Sequence, residues 1–85
     1  MQTLHELGLA IATHRRALGL TQTSVANLAG IPNESLSRLE RGRATEFGAR
    51  KLLAVLAVLG MELDVVRSGA SGSLDALRKE RGGEA

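Results

Sequence analysis

Asn33, Glu34, Ser37, Arg38 and Arg41 fall within nine consecutive positions of an 85-residue chain. All five carry side chains that hydrogen-bond well to flat polar edges. Arginine can take the O6/N7 edge of guanine through two N–H donors. Asparagine matches adenine in the same way, and a glutamate accepts from the cytosine amino group. Any one of them alone is an ordinary solvated residue, so their weight comes from joint placement. The charge around them is uneven. Residues 1–60 hold seven basic groups against four acidic ones, and residues 61–85 hold four against five. Five of those seven basic groups lie between Arg38 and Lys51. The chain as a whole carries only +2, with a pI near 9.9, so the basic character is local rather than global.

Other chemistries find little support. There is no cysteine, which excludes disulfides, thiolate metal sites and cysteine nucleophiles. His5 and His14 are nine residues apart and share no helical face, so they make no metal pair. No Gly-rich phosphate loop, aspartate cluster or Ser–His–Asp arrangement occurs. A chain this short buries only about 60% of its unfolded surface, which leaves little room for an enclosed pocket. No catalytic residue, metal or cofactor is therefore expected. The longest apolar run, from Leu52 to Leu59, is eight residues, against roughly 20 for a membrane span. The first ten residues contain no Lys or Arg and end in no cleavage pattern, so no signal peptide is expected. With the lack of cysteine, this points to a cytoplasmic protein.

The elements that must position the polar cluster are helical. Thr3-Leu4-His5-Glu6 has capping-box spacing and opens a first helix whose stripe is Leu4, Leu7, Ile11 and Leu18, stopped by Gly19. A second, short helix spans about residues 21–29, with Val25, Leu28 and Ala29 inward and Gly30 at its end. A third begins at Pro32 or Asn33 and runs to Arg41, before Gly42. A connection of about three residues containing glycine matches helix-turn-helix geometry. A fourth helix spans about residues 46–59.

Arg15 sits on the inward stripe, four residues after Ile11 and three before Leu18. A charge there needs a partner. Leu36, Leu39 and Glu40 share one face of the third helix, so the spacing predicts an Arg15–Glu40 ion pair. With that face turned in, Glu34, Ser37, Arg38 and Arg41 point outward at 100° per residue, and Asn33 stands at the N-terminal shoulder.

After Gly60, Met61-Glu-Leu-Asp-Val65 alternates apolar and acidic residues as a strand does. The chain offers it no second strand, so pairing with the same segment of another copy is expected. The apolar surplus of the fourth helix agrees, and Leu56, Leu59, Met61, Leu63 and Val65 are the expected homodimer interface. Composition changes near Arg67, where a Ser/Gly linker begins. A helix-turn-helix domain over 1–67, with the dimerising strand at about 61–67, is thus followed by a flexible polar tail, 68–85. Residues 74–81 could form a short helix.

Three stretches together resemble the Xre family, the lambdoid phage repressors and Cro: Arg15-Arg-Ala-Leu-Gly-Leu-Thr-Gln22, Leu28-Ala-Gly-Ile31 and Leu36-Ser-Arg-Leu-Glu-Arg-Gly42. The resemblance covers residues 7–60. A following strand and polar tail look more like the persistence-type antitoxins within that family. The resemblance implies a mainly α fold of four to five helices with one C-terminal strand. It implies that Asn33, Glu34 and Arg38, with Ser37 adjacent, read bases of double-stranded DNA. It further implies that Thr21, Gln22, Arg41 and Arg43 contact phosphates, and that Arg15 and Glu40 form an internal ion pair. Pro32 departs from the pattern, which usually has a Ser or Thr cap there. Either Pro32 is the first helical residue, or Asn33 becomes the cap and gives up its base-reading role. Two functions follow from the resemblance: a homodimeric repressor on a palindromic operator, or an antitoxin that autoregulates its operon and also binds a toxin protein. An enzyme or a membrane protein is not expected.

Overall fold

The computed structural model describes residues 3–68. Within them lie four helices: α1 (Leu4–Ala17), α2 (Gln22–Ala29), α3 (Asn33–Glu40) and α4 (Ala49–Val58). α1 packs on α3, and α2 packs against both α3 and α4. The expectation of a short helix at 74–81, like everything said of the tail, lies outside the described residues.

Capping chemistry sets the first two starts. Thr3 Oγ1 accepts from the Glu6 N–H at 3.0 Å, and Thr21 Oγ1 accepts from the Ser24 N–H at 3.0 Å; each satisfies one orphan donor of its helix. At the end of α2, Gly30 adopts φ 74°, a left-handed conformation that costs other residues a steric penalty. The Ile31 N–H then bonds back to the Ala26 carbonyl at 3.0 Å and that of Gly30 to Asn27 at 3.2 Å, closing a Schellman motif. This sharp stop gives the α2–α3 turn its tightness.

Pro32 takes neither of the two positions expected of it. It is the N-cap of α3, with φ −63° and ψ 140°, and its carbonyl accepts the first helical bonds, from Ser35 at 3.0 Å and Leu36 at 3.4 Å. The cap position gives its own N–H no helical partner, so the missing N–H of proline costs nothing there, and the φ fixed by the ring is compatible with the extended cap conformation. Asn33 is consequently the first helical residue, and its side chain is exposed. α4 starts at Ala49, three residues later than the expected start. Gly48 is its N-cap, and Phe47 packs from the preceding loop against the core.

The core is aliphatic: Ile11, Val25, Ala26, Ile31, Leu36, Leu39, Val55, Leu56 and Leu59 are buried together. Two residues expected inside are outside. Leu18 is 55% exposed, because α1 ends at Ala17 and Leu18 is its C-cap, beyond the last turn that packs. Leu20 lies against the core instead. Leu28 is 70% exposed, whereas Ala26 is fully buried. The inward arc of α2 is centred between Val25 and Ala26, and Leu28 falls about 100° away from it.

Leu56 and Leu59, expected at a subunit interface, are buried within the single chain, so their apolar surface needs no second copy to cover it. Residues 61–68 form no regular secondary structure in the single chain. An isolated segment has no ladder to join, and the expected strand is not formed. Met61 is half-buried against the core, while Leu63, Val65 and Val66 are exposed. No helix among the described residues is long and apolar enough to cross a membrane.

Candidate nucleic-acid interface

The orientation of α3 follows from what it buries. Leu36 and Leu39 have no exposed surface, and Glu40 is buried beside them. Its carboxylate is met by Arg15 from α1 through two parallel bonds: Nε donates to Oε2 at 2.8 Å and Nη2 to Oε1 at 2.8 Å. Arg15 Nη1 donates to the Leu20 carbonyl, also at 2.8 Å. The Glu40 hydrogen bond holds the Arg15 pKa above arginine's ordinary value; burial opposes this and the direct charge attraction adds to it. A paired and hydrogen-bonded charge can be buried at acceptable cost. Among the described residues, no buried side-chain nitrogen or oxygen lacks a partner.

Gln22 joins this network, since its Nε2 donates to Glu40 Oε1 at 2.8 Å. The resemblance assigned Gln22 to a DNA phosphate. The fold commits one of its two amide hydrogens to Glu40 and leaves the side chain half-buried. Glu40 therefore ties the start of α2, the end of α3 and the end of α1 at one point. Thr21, the N-cap beside Gln22, remains exposed.

On the opposite flank of α3, Asn33, Glu34, Arg38 and Arg41 are exposed and Ser37 is half-buried. Glu34 and Arg38, one turn apart, form an ion pair: Arg38 Nη2 donates to Glu34 Oε1 at 3.1 Å. Arg41 lies back on its own helix, its Nε donating to the Ser37 carbonyl at 3.3 Å. Arg43 is exposed in the turn after α3.

Beside this flank lies an open cleft of about 320 Å³, lined by Ser35, Arg38, Arg43, Thr45, Glu46, Gly48 and Lys51 among others. Sequence reasoning had given Ser35, Thr45 and Lys51 no role. The clustering of basic groups from Arg38 to Lys51 was the available signal, but it could not say that α4 returns Lys51 to the rim of α3. Gly48 gives α4 no side-chain cap. The wall carries three cations, Arg38, Arg43 and Lys51, and one carboxylate, Glu46; Arg38 is paired with Glu34, which leaves Arg43 and Lys51 as the cations suited to a phosphate group. Among the described residues, no group of three or more His, Asp or Glu side chains could hold a metal ion.

Comparison with known proteins agrees with this geometry. A family model described as a helix-turn-helix domain matches residues 1–67. The chain is also similar to a solved structure, the clp gene regulator ClgR from Corynebacterium glutamicum. The two share 32% identity and superpose with a TM-score of 0.65. That match covers 69% of this chain and 62% of the other, so the likeness stops short of ClgR's full length. No curated protein matches. Neither likeness bears on the toxin-binding alternative.

Proposed function

The chain belongs to the Xre-like helix-turn-helix family, and from that premise we propose that it is a sequence-specific binder of double-stranded DNA that regulates transcription, most simply as a repressor. The observation that carries the reading is the two-sidedness of α3. Leu36, Leu39 and Glu40 are buried, which commits Asn33, Glu34, Ser37 and Arg38 to the face a major groove would meet. In this reading Arg38 takes a guanine edge and Asn33, unspent on capping, takes adenine. Thr21, Arg41 and Arg43 contact phosphates and set register, and Lys51 joins them from the cleft. Gln22 adds its remaining amide hydrogen while Glu40 holds the other. Phosphate contacts supply most of the affinity, and base contacts select the site.

A homodimer completes the proposal. Leu53, Leu63, Val65 and Val66 are exposed, and residues 61–65 have the alternation of a strand without a partner. Antiparallel pairing of this segment with a second copy would satisfy the backbone and put Leu63 and Val65 on one face of the paired strands. Two α3 helices would then enter successive major grooves, about 34 Å apart on one face of the duplex.

Selection of bound sites from random duplex DNA by the full chain tests both halves of the proposal. A palindrome with half-site centres about ten base pairs apart is expected. Failure to enrich any sequence, with binding insensitive to salt, would sink it.

A further inference from the structure

The Glu34–Arg38 pair stands out on the flank proposed to meet DNA. A carboxylate there faces a polyanion, which is costly unless it has work to do. Its position is specific: it lies one helical turn before Arg38, and Oε1 accepts from Arg38 Nη2 at 3.1 Å with both side chains largely exposed. Of the other cations nearby, Arg41 is drawn back onto Ser37, and Arg43 and Lys51 share the cleft with Arg38. No other ion pair is formed by Glu34 or Arg38 among the described residues.

We infer that Glu34 is a specificity-determining residue that acts chiefly against wrong DNA. This rests on the DNA-binding reading given above. In the free protein Glu34 pairs with Arg38, so that the two side chains together present no net charge to a duplex. On an arbitrary duplex, an Arg38 that takes a phosphate with its remaining donors brings the Glu34 carboxylate up to the negative backbone, where no DNA group donates to it. A correct site removes the conflict. A guanine edge takes the N–H donors of Arg38 that Glu34 leaves open, and a cytosine amino group in a neighbouring base pair donates to the carboxylate. The pair thus discriminates by penalising mismatched sequence as well as by contacting the right one.

The test uses the full chain and two duplexes, the selected site and a scrambled one, over a series of salt concentrations. Wild type, Glu34→Gln, Arg38→Ala and the double variant are compared. Both residues are exposed, so folding should be unaffected. Glu34→Gln frees a cation, and its scrambled-duplex log–log salt slope should steepen by about 0.9 per subunit. Binding to the scrambled duplex should tighten several-fold at low salt, and selected sites should lose their cytosine preference. The steepening should vanish when Arg38 is also alanine. An unchanged slope and unchanged base preference in Glu34→Gln, with wild type binding DNA normally, overturns this inference alone. Equal steepening with and without Arg38 overturns the pairing. Absence of salt-dependent duplex binding by wild type overturns the inference together with the reading on which it rests.

Discussion

Arg15 and Glu40, twenty-five residues apart in sequence, meet through two 2.8 Å hydrogen bonds in a region where both side chains are nearly excluded from water. The pair aims α3, since Glu40 could not stay buried in any other rotation of that helix without losing its partner. Removing one member strands the other charge. Glu40→Ala should destabilise the fold by about 3 kcal/mol, read as a lower urea midpoint. Replacing both residues with apolar ones of similar volume should restore most of the loss. A single variant as stable as wild type would show that the pair does not anchor α3.

The same pair has a simple pH behaviour. The Arg15 pKa is raised by Glu40, so the stability Arg15 contributes is fully present below arginine's unfolded value. It fades only in alkali strong enough to pass the raised value. The midpoint difference between wild type and Arg15→Met should therefore stay constant from neutral pH to about pH 10. A difference that shrank steadily across that range would contradict the sign of the shift.

At Gly8, α1 passes tightly against α3. A Cβ at this position would fall on the Leu39 carbonyl oxygen, a backbone atom that cannot swing aside. Gly8→Ala should cost about 1–3 kcal/mol through overpacking, although alanine is the better helix former. A more stable Gly8→Ala variant would mean that the two helices can separate freely.

Arg38 and Lys51 line one cleft but should fail differently. Arg38→Ala should cost about 1–3 kcal/mol on the selected site and relax preference at one base pair of each half-site. Lys51→Ala should weaken all duplexes alike and flatten the salt slope by about 1 for each phosphate that is no longer neutralised. Binding titrations on selected and scrambled DNA separate the two. Equal losses for Arg38→Ala on both would demote it to a phosphate ligand.

Val65, 93% exposed, and Leu63, 53% exposed, lie on the segment proposed to pair between copies. Aspartate at both positions should shift the protein toward monomer in sedimentation equilibrium and reduce operator affinity sharply. The stability of the helical core, measured by urea, should barely change. A wild-type protein that sediments as a monomer at binding concentrations would remove the two-fold geometry.

Local physics was readable from the chain itself. Capping residues and glycines placed α1 and α2 nearly to the residue, and the 3.6-residue period put Arg15, Leu36, Leu39 and Glu40 on inward faces. From those faces the outward position of Glu34, Arg38 and Arg41 followed. The misjudged positions share a cause. Leu18 has the right period but lies past the end of α1, and Leu28 lies off an arc that α3 and α4 define. Leu56 and Leu59 looked surplus only because the depth of the single-chain core was unknown. Pro32 as cap, the Gln22–Glu40 bond, the Gly8–Leu39 approach and the return of Lys51 to the rim of α3 were all decided by packing. Periodicity tells which residues share a face of one helix. It carries no information on which neighbour fills that face, how near the axes pass, or where a neighbouring element ends.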